Sequence, residues 1–216
     1  MVIFQISPIR TGTTLIWNML QKIFSQTKVY KANQLDDYVR RSLAEDSNIK
    51  VVSTVRDPRD TLCSYMTIWY HLWSNTGSIT KKMLDESIDF LRGYNGGFND
   101  FIELCDINDN LVLRYELFWN DYDYIFTNLE DFFNITFSEE TKTKIRNTTK
   151  RSVNKSIQKK LKKSGNYDFE THIHGGHIFL SEPGYSNKIL GQKNLKRIQK
   201  LLECNVEEIM HIDLDK

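Results

Sequence analysis

The sequence predicts an α/β domain in which a mostly parallel central sheet lies between two layers of helices. The apolar run at 1–6 and the β-branched run at 50–56 each end in a polar turn that opens an apolar-periodic helix. A third such run, 110–115, follows further helical segments, and strands that alternate with helices form parallel sheets. The 216 residues suffice for one such domain, so we expect a single domain over 1–216.

The remaining elements follow from hydrophobic periodicity in chain order. After the first strand, the pattern predicts a helix near 13–25 and a short strand at Lys28–Tyr30. The other predicted helices begin at Pro58 and cover 81–104, 121–133, 138–160 and Asn194–Glu203. Glycines at 93, 96 and 97 indicate a break within the long region 81–104.

The turn after the first strand, Ser7–Thr14, has the composition of an anion-binding site. It combines one glycine, Gly12, with Arg10 and the hydroxyls of Thr11, Thr13 and Thr14. Backbone N–H groups at a helix N-terminus point toward a bound anion, and the helix dipole adds partial positive charge. We therefore expect this turn to bind a phosphate or a group of similar shape.

A second turn of this kind follows the strand at 50–56. Asp57 is a good N-cap, and Pro58 suits the first helical position. Arg56 stands at the carboxyl end of its strand, the edge at which parallel sheets bind ligands. Two anion sites at one sheet edge predict a ligand that carries two separated anionic groups.

These segments resemble motifs of the sulfotransferase family, whose fold is P-loop-like. The turn resembles the family's 5′-phosphosulfate loop, Arg56–Ser64 resembles its 3′-phosphate motif, and Leu111–Leu117 resembles its R-Y-E-D-L strand end. The resemblance implies an enzyme that moves a sulfuryl group from 3′-phosphoadenosine 5′-phosphosulfate (PAPS) to an acceptor hydroxyl or amine. The other product is adenosine 3′,5′-bisphosphate (PAP), and no metal is expected.

The resemblance also implies residue roles. Arg10 would stabilise the leaving oxygen and act as the catalytic cation. The donor-binding residues would be Arg10, Thr11, Gly12, Thr13, Thr14, Arg56, Ser64 and Tyr115. The acceptor, a small molecule or a carbohydrate, stays unassigned, as does the oligomeric state.

Four departures from the family pattern concern catalysis and the nucleotide. Ile9 is inserted in the turn, and Leu15 stands where many members place a tryptophan that stacks on adenine. The basic R-K-G triplet is replaced by a loop that contains His172, His174 and His177, and the family's catalytic histidine is replaced by Asn33. Transfer to a hydroxyl needs a proton acceptor within hydrogen-bond reach.

For that proton acceptor we predict Asp36, which one helical turn would bring to the face of Asn33. The alternative for Asp36 and Asp37 is a capping or solvated role. His71 or a histidine of the 172–177 loop is the next candidate for the base. Metal binding by that loop is not favoured, because few carboxylates lie near it in sequence.

Composition favours a soluble cytoplasmic protein. The three cysteines, Cys63, Cys105 and Cys204, are far apart and indicate neither a disulfide framework nor a zinc site. No apolar run approaches the roughly 20 residues that span a bilayer, and the first strand leaves no room for a signal peptide. We expect no membrane partner.

Charge is uneven along the chain. Ten Lys or Arg and no acidic residue lie between Lys142 and Lys163, although the totals of 29 basic and 28 acidic residues nearly balance. This run is either a solvated pair of helices or a positive rim that guides an anionic ligand toward the site. No nucleic-acid motif accompanies it, so we expect no nucleic-acid partner.

Tyr65, Trp69, Tyr70 and Trp73 fall largely on one face of the helix that begins at Pro58. Such a stripe belongs either to the core or to an aromatic wall against an acceptor such as a sugar or a phenol.

Two other function classes stay open from the residues alone. A P-loop nucleotide kinase or NTPase needs G-x-x-x-x-G-K-[ST], but here Ser7 replaces the first glycine and Thr13 replaces the lysine. A catalytically silent nucleotide-binding protein is the second alternative, because the family's histidine is missing.

Overall fold

The computed structural model describes residues 1–46, 48–69, 79–93, 97–105, 110–161, 166–175 and 182–201. Within these ranges the strands are β1 (Val2–Ile6), β2 (Lys28–Ala32), β3 (Ile49–Val55) and β4 (Asn110–Arg114). The helices are α1 (Thr13–Ile23), α2 (Asp37–Glu45), α3 (Pro58–Trp69), α4 (Lys81–Arg92), α5 (Phe98–Cys105), α6 (Tyr115–Phe118), α7 (Tyr122–Phe133), α8 (Glu139–Thr149), α9 (Arg151–Leu161), α10 (Tyr185–Ile189) and α11 (Gly191–Leu201).

The sheet has the strand order β2-β1-β3-β4, and every neighbouring pair is parallel. Val2 lies opposite both Lys28 and Ile49, and Val55 lies opposite Arg114. Because all four strands run the same way, the segments that follow them meet at one edge of the sheet. That edge collects the residues of the predicted site.

Alternating side chains of the strands divide the core between the two faces of the sheet. Ile3 and Leu113 pack with Ile16 of α1 and Ile125 of α7 in one cluster. Phe4, Ile6 and Val51 belong to a second cluster with Val39 of α2 and Leu104 of α5. A third cluster joins α3, α4 and α11. The predicted α/β class, with a mostly parallel sheet between helices, is confirmed.

Some predicted boundaries are wrong in instructive ways. The predicted helix 138–160 is two helices that meet at Lys150, whose backbone is extended. The hydroxyls of Thr148 and Thr149 donate to carbonyls of the preceding turn, which competes with continuation of the helix. Helix α2 was not predicted, since its segment is mostly polar and buries only Val39.

The glycine break predicted within 81–104 is confirmed, because α4 ends at Arg92 and α5 begins at Phe98. Gly97 has φ +72, and a Cβ there would lie 1.8 Å from the carbonyl oxygen of Asn33. No other residue fits so close to that backbone.

No helix of the described ranges is long and apolar enough to cross a membrane.

Candidate functional site

The turn between β1 and α1 is held from inside by its hydroxyls. Thr11 Oγ1 donates to the carbonyl of Pro8 at 2.7 Å and lies 2.7 Å from Thr54 Oγ1 on β3. Thr13 Oγ1 also donates to Pro8, at 3.2 Å. Because these hydroxyls bind within the turn, its backbone is fixed before any ligand arrives, which is preorganisation of the kind that binding sites need.

Two residues of the turn adopt the left-handed conformation. Gly12 caps α1 with φ +96, and a Cβ there would lie 2.7 Å from Cζ of Phe118. Arg10 has φ +65, which is uncommon for a side chain of its size. Strain at such a position persists only where the surrounding structure imposes it, and it is concentrated at binding sites.

A cavity of about 800 Å³ opens beside this turn. Seven of the predicted site residues line it, namely Arg10, Gly12, Thr13, Thr14, Arg56, Ser64 and Tyr115. Thr11 is fully buried beneath the turn and is not among the lining residues. The two turns therefore meet at one site, although they are more than 40 residues apart in sequence.

Arg10 connects the two turns directly. Its Nε donates to Ser64 Oγ at 3.1 Å, and its carbonyl oxygen accepts from Nη1 of Arg56 at 3.4 Å. Burial and the positive charge of Arg56 lower the pKa of Arg10 to about 10, so the guanidinium stays protonated at neutral pH. Two neighbouring cations, the buried Arg56 and the half-buried Arg10, make this part of the cavity attract anions strongly.

The buried guanidinium of Arg56 has the donors that most clearly indicate an anion-binding site. Its side chain is 2% exposed, yet its Nε and Nη2 atoms have no hydrogen-bond partner among the residues that the structure describes. Asp60 lies 4.0 Å away, beyond hydrogen-bond distance, and the ring of Tyr115 lies 4.4 Å from the guanidinium carbon. Buried donors are almost always paired in proteins, so these two are expected to bind an anion.

Lys31, to which the sequence analysis assigned no role, adds a third cation. Its Nζ donates to Thr14 Oγ1 at 2.8 Å and lies 5.7 Å from the ring centre of Trp17. Burial, together with the charge of Arg10, lowers its pKa to about 8. The signal that could have found it is its position at the carboxyl end of β2, on the ligand edge of a parallel sheet.

Asp36 does not lie with the other predicted residues. Its carboxylate accepts from the backbone N–H of Val39 at 2.8 Å and caps α2, which is the alternative role considered from the sequence. It lines a separate depression with Arg40 and Asp100, whereas Asn33 lines the main cavity. A catalytic role for Asp36 therefore stays a prediction that this arrangement does not favour.

The segment 166–175 folds over the same cavity. Tyr167 and His174 form an antiparallel bridge, and the N–H of Asp168 donates to the carbonyl of Ile173 at 2.8 Å. The ring of His172 packs against Trp17 with ring centres 4.0 Å apart. His172 and His174 line the cavity; His177 and His71 lie outside the described residues.

Leu15 also lines the cavity, at the position where the family resemblance implies a tryptophan. Trp17 is 5% exposed and is not among the lining residues. In the described part of the chain, no group of three or more His, Cys, Asp or Glu side chains could hold a metal ion.

Aromatic side chains of α3 and α4 form the apolar wall of the cavity. Tyr65 stacks on Phe90 with ring centres 4.4 Å apart and on Trp69 at 5.8 Å. Trp69 is 65% exposed, which is unusual for an indole that belongs to the core. We call Tyr65, Trp69 and Phe90 the aromatic shelf. Tyr70 and Trp73, predicted for the same stripe, lie outside the described residues.

Comparison with solved structures gives the same fold. Mouse sulfotransferase SULT7A1 complexed with PAP matches with a TM-score of 0.64 at 15% identity, over 93% of this chain and 82% of that one. Retinol dehydratase in a complex with retinol and PAP matches with a TM-score of 0.64 at 16% identity, over 97% and 81%. The complex of retinol dehydratase with androsterone and inactive cofactor PAP matches with a TM-score of 0.62 at 15% identity, over 97% of this chain and 80% of that one.

No curated protein matches the sequence. A family model described as the sulfotransferase domain matches residues 35–174. The matched segment includes the strand end at Arg56, Ser64, and the loop that carries His174, and it extends over more than half of the chain. The protein therefore belongs to the sulfotransferase domain family.

Proposed function

We propose that this protein transfers the sulfuryl group of PAPS to the hydroxyl group of a small, flat and largely apolar acceptor. The observation that carries the proposal is the pair of unpartnered donors on buried Arg56, in the same cavity as the anion-binding turn and the aromatic shelf. PAPS supplies the sulfuryl group and a PAP leaving group. Its two separated anionic ends match the two cationic turns.

Donor binding divides between the turns. The backbone N–H groups at the start of α1, with Thr14 beside them, would hold the 5′-phosphosulfate. Arg56, with Ser64, would hold the 3′-phosphate, because Nε and Nη2 of Arg56 present two donors in the planar arrangement that suits phosphate oxygens. Tyr115, whose ring lies against that guanidinium, would keep it in place.

Arg10 and Lys31 would act on the reacting atoms. When the sulfuryl group leaves, negative charge develops on the oxygen that bridged it to the 5′-phosphate. Fixed cations in a site with little water stabilise that charge more than they stabilise the substrate, which lowers the barrier. Arg10 stays protonated near neutrality, whereas Lys31, with its pKa of about 8, loses its charge in mildly alkaline solution.

Retinol and androsterone, which are bound in the similar retinol dehydratase structures, are hydroxyl-bearing apolar molecules. The aromatic shelf supports a related acceptor class here. Stacked rings with one exposed face favour a flat apolar ligand, and aromatic pairs gain about 0.5–1.5 kcal/mol beyond burial of their area.

The proposal is tested by binding and by transfer. Calorimetry should detect tight binding of PAP and much weaker binding of ATP with Mg²⁺, since Thr13 stands where an NTPase needs lysine. Radiolabelled PAPS should then label a phenol or a hydroxysteroid. Tighter binding of ATP than of PAP would overturn the proposal in favour of a nucleotide kinase; PAP binding without transfer to any acceptor would indicate a catalytically silent protein.

Trp69→Ala should raise the acceptor KM about tenfold and leave PAP affinity unchanged, because the exposed indole lines the cavity beside the rings of Tyr65 and Phe90. Initial rates at saturating PAPS, with calorimetry of PAP, measure both effects. Tyr38→Ala is the matched control, since Tyr38 is also exposed but lines no part of this cavity. An unchanged acceptor KM in Trp69→Ala would remove the aromatic shelf from acceptor binding.

The basic run gives a smaller prediction. Helix α9 buries none of its residues, its first residues line the cavity, and Lys155, Lys159 and Lys160 are exposed along it. Replacing these three lysines with glutamine should lower the association rate of PAP severalfold at low salt, and the difference should vanish in about 1 M salt. Stopped-flow rates measure this effect, with Lys81→Gln/Lys82→Gln on α4 as control. An equal effect at both salt concentrations would contradict electrostatic guidance.

A further inference from the structure

The described residues that line the cavity include several cations but no carboxylate to receive the acceptor's proton. Among its described lining residues, the side chains that titrate nearest to neutrality are the imidazoles of His172 and His174 and the amine of Lys31, whose pKa is lowered to about 8. Lys31 is needed as a cation and already donates to Thr14. A proton acceptor within the described lining must therefore come from the loop 166–175.

The two histidines of that loop have different surroundings. His172 packs its ring against Trp17 at 4.0 Å and against Tyr167 at 5.3 Å. Burial and the charge of Lys31 lower the pKa of His172, and the carboxylate of Asp168 raises it in part. His174 interacts electrostatically with Arg10 and Lys31, the two cations that would stabilise the leaving oxygen. Both imidazoles line the cavity, and His174 is the one on which both of these cations act, so it is the better candidate to work beside them.

Contacts with neighbouring segments fix the backbone on both sides of His174. Tyr167 pairs with it, buried Ile173 anchors it, and Nδ2 of Asn18 on α1 donates to the carbonyl of Thr171 at 2.8 Å. On the other side, Nε2 of Gln158 on α9 donates to Gly175 at 3.0 Å. A catalytic group needs such support, because small displacements of a reacting group cost large factors in rate.

We infer that His174 is the catalytic base of this protein and takes the proton from the acceptor hydroxyl, the task that Asn33 cannot perform. The inference rests on the proposed function. As the acceptor oxygen forms its bond to sulfur, its proton passes to a ring nitrogen of His174. The bond between sulfur and the bridging oxygen breaks, and its electron pair stays on the 5′-phosphate of PAP. The imidazolium then releases its proton to water.

The charges around His174 fit this task. In the free protein, burial and the charges of Arg10 and Lys31 lower its pKa to about 4, so the imidazole is neutral and able to accept a proton at pH 7. Tyr167, the partner from the opposite strand of the loop, is uncharged at that pH. A bound phosphosulfate offsets the two cations, so the pKa of His174 rises when the donor binds and proton transfer becomes easier.

The experiment compares His174→Gln with His172→Gln at saturating PAPS and acceptor. His174→Gln should lower kcat about 10²-fold with PAP affinity unchanged within threefold. The parent and His172→Gln should both lose kcat as the pH falls below the pKa of His174, whereas His174→Gln should lack this acid limb. In His174→Ala, added imidazole should restore part of kcat. Tryptophan fluorescence at each pH verifies that the proteins stay folded.

If the parent protein is active, two results would overturn the inference about His174 and leave the proposed function intact. One is a kcat of His174→Gln within threefold of the parent. The other is a large loss that imidazole does not restore and that leaves the acid limb in place, which indicates a structural role. Loss of the limb in Asp36→Asn instead would assign the base to Asp36. A parent without any sulfuryl transfer would overturn the proposed function itself.

Discussion

Replacing Arg10 with alanine is expected to lower kcat by about 10²–10³-fold while PAP affinity falls less than tenfold. The guanidinium lies half-buried between the two turns and stays charged at neutral pH, since its pKa is about 10. Its positive charge matters most when the bridging oxygen becomes negative, so its loss affects the transition state more than the bound nucleotide. Single-turnover rates with excess enzyme, together with calorimetry of PAP, separate the two effects.

Arg10→Lys is the informative partner of that variant. Lysine keeps the charge but loses the planar group whose Nε donates to Ser64 at 3.1 Å. We expect intermediate turnover, because the electrostatic part of the effect survives while the orientation is lost. Turnover of Arg10→Ala near that of the parent would remove Arg10 from the mechanism. Equal losses in turnover and in PAP affinity would make it a residue of ground-state binding.

The fold could be predicted because its signals are local. The runs that become β1 and β3 are apolar, each ends in a capped turn, and the parallel arrangement follows from strands that alternate with helices. Helix α2 was missed because its stability comes from one buried residue, Val39, and from a cap at Asp36, neither of which gives a hydrophobic period. The break at Lys150 depended on hydroxyl-to-backbone bonds that periodicity does not register.

Some residues of the candidate site follow from local sequence signals, whereas others depend on contacts between distant segments. Arg56 and Ser64 could be found because a strand end and a helix start place them by short-range rules. Thr11 looked like a ligand-binding hydroxyl, but a hydrogen bond to Thr54, 43 residues away, turns it inward. Lys31 and His174 depend on contacts between distant segments. Only the folded chain buries these two side chains and brings them near Arg10, and both effects lower their pKa values.

Removal of Arg56 should weaken PAP far more than adenosine 5′-phosphate. Arg56→Ala deletes two buried donors, Nε and Nη2, that have no hydrogen-bond partner in the described part of the chain, and each charge-assisted bond to phosphate contributes about 1.5–3 kcal/mol. Two such bonds contribute at least about 3 kcal/mol, so PAP affinity should fall by at least about 10²-fold. Adenosine 5′-phosphate lacks the 3′-phosphate, so its affinity should change by less than threefold. Calorimetry with both nucleotides measures the difference.

The fold should survive this change, because Asp60, the nearest acid, is already bound by backbone N–H groups of Gly184 and Ser186 at 2.6 and 2.8 Å. Ser64→Ala should shift the two nucleotides in the same direction by a smaller factor, since a neutral hydroxyl contributes less than a guanidinium. Arg59→Gln is the matched control, because Arg59 pairs with Asp57 and does not line the cavity. If PAP and adenosine 5′-phosphate weaken equally in Arg56→Ala, Arg56 binds the phosphate that both share, and the 3′-phosphate lies elsewhere.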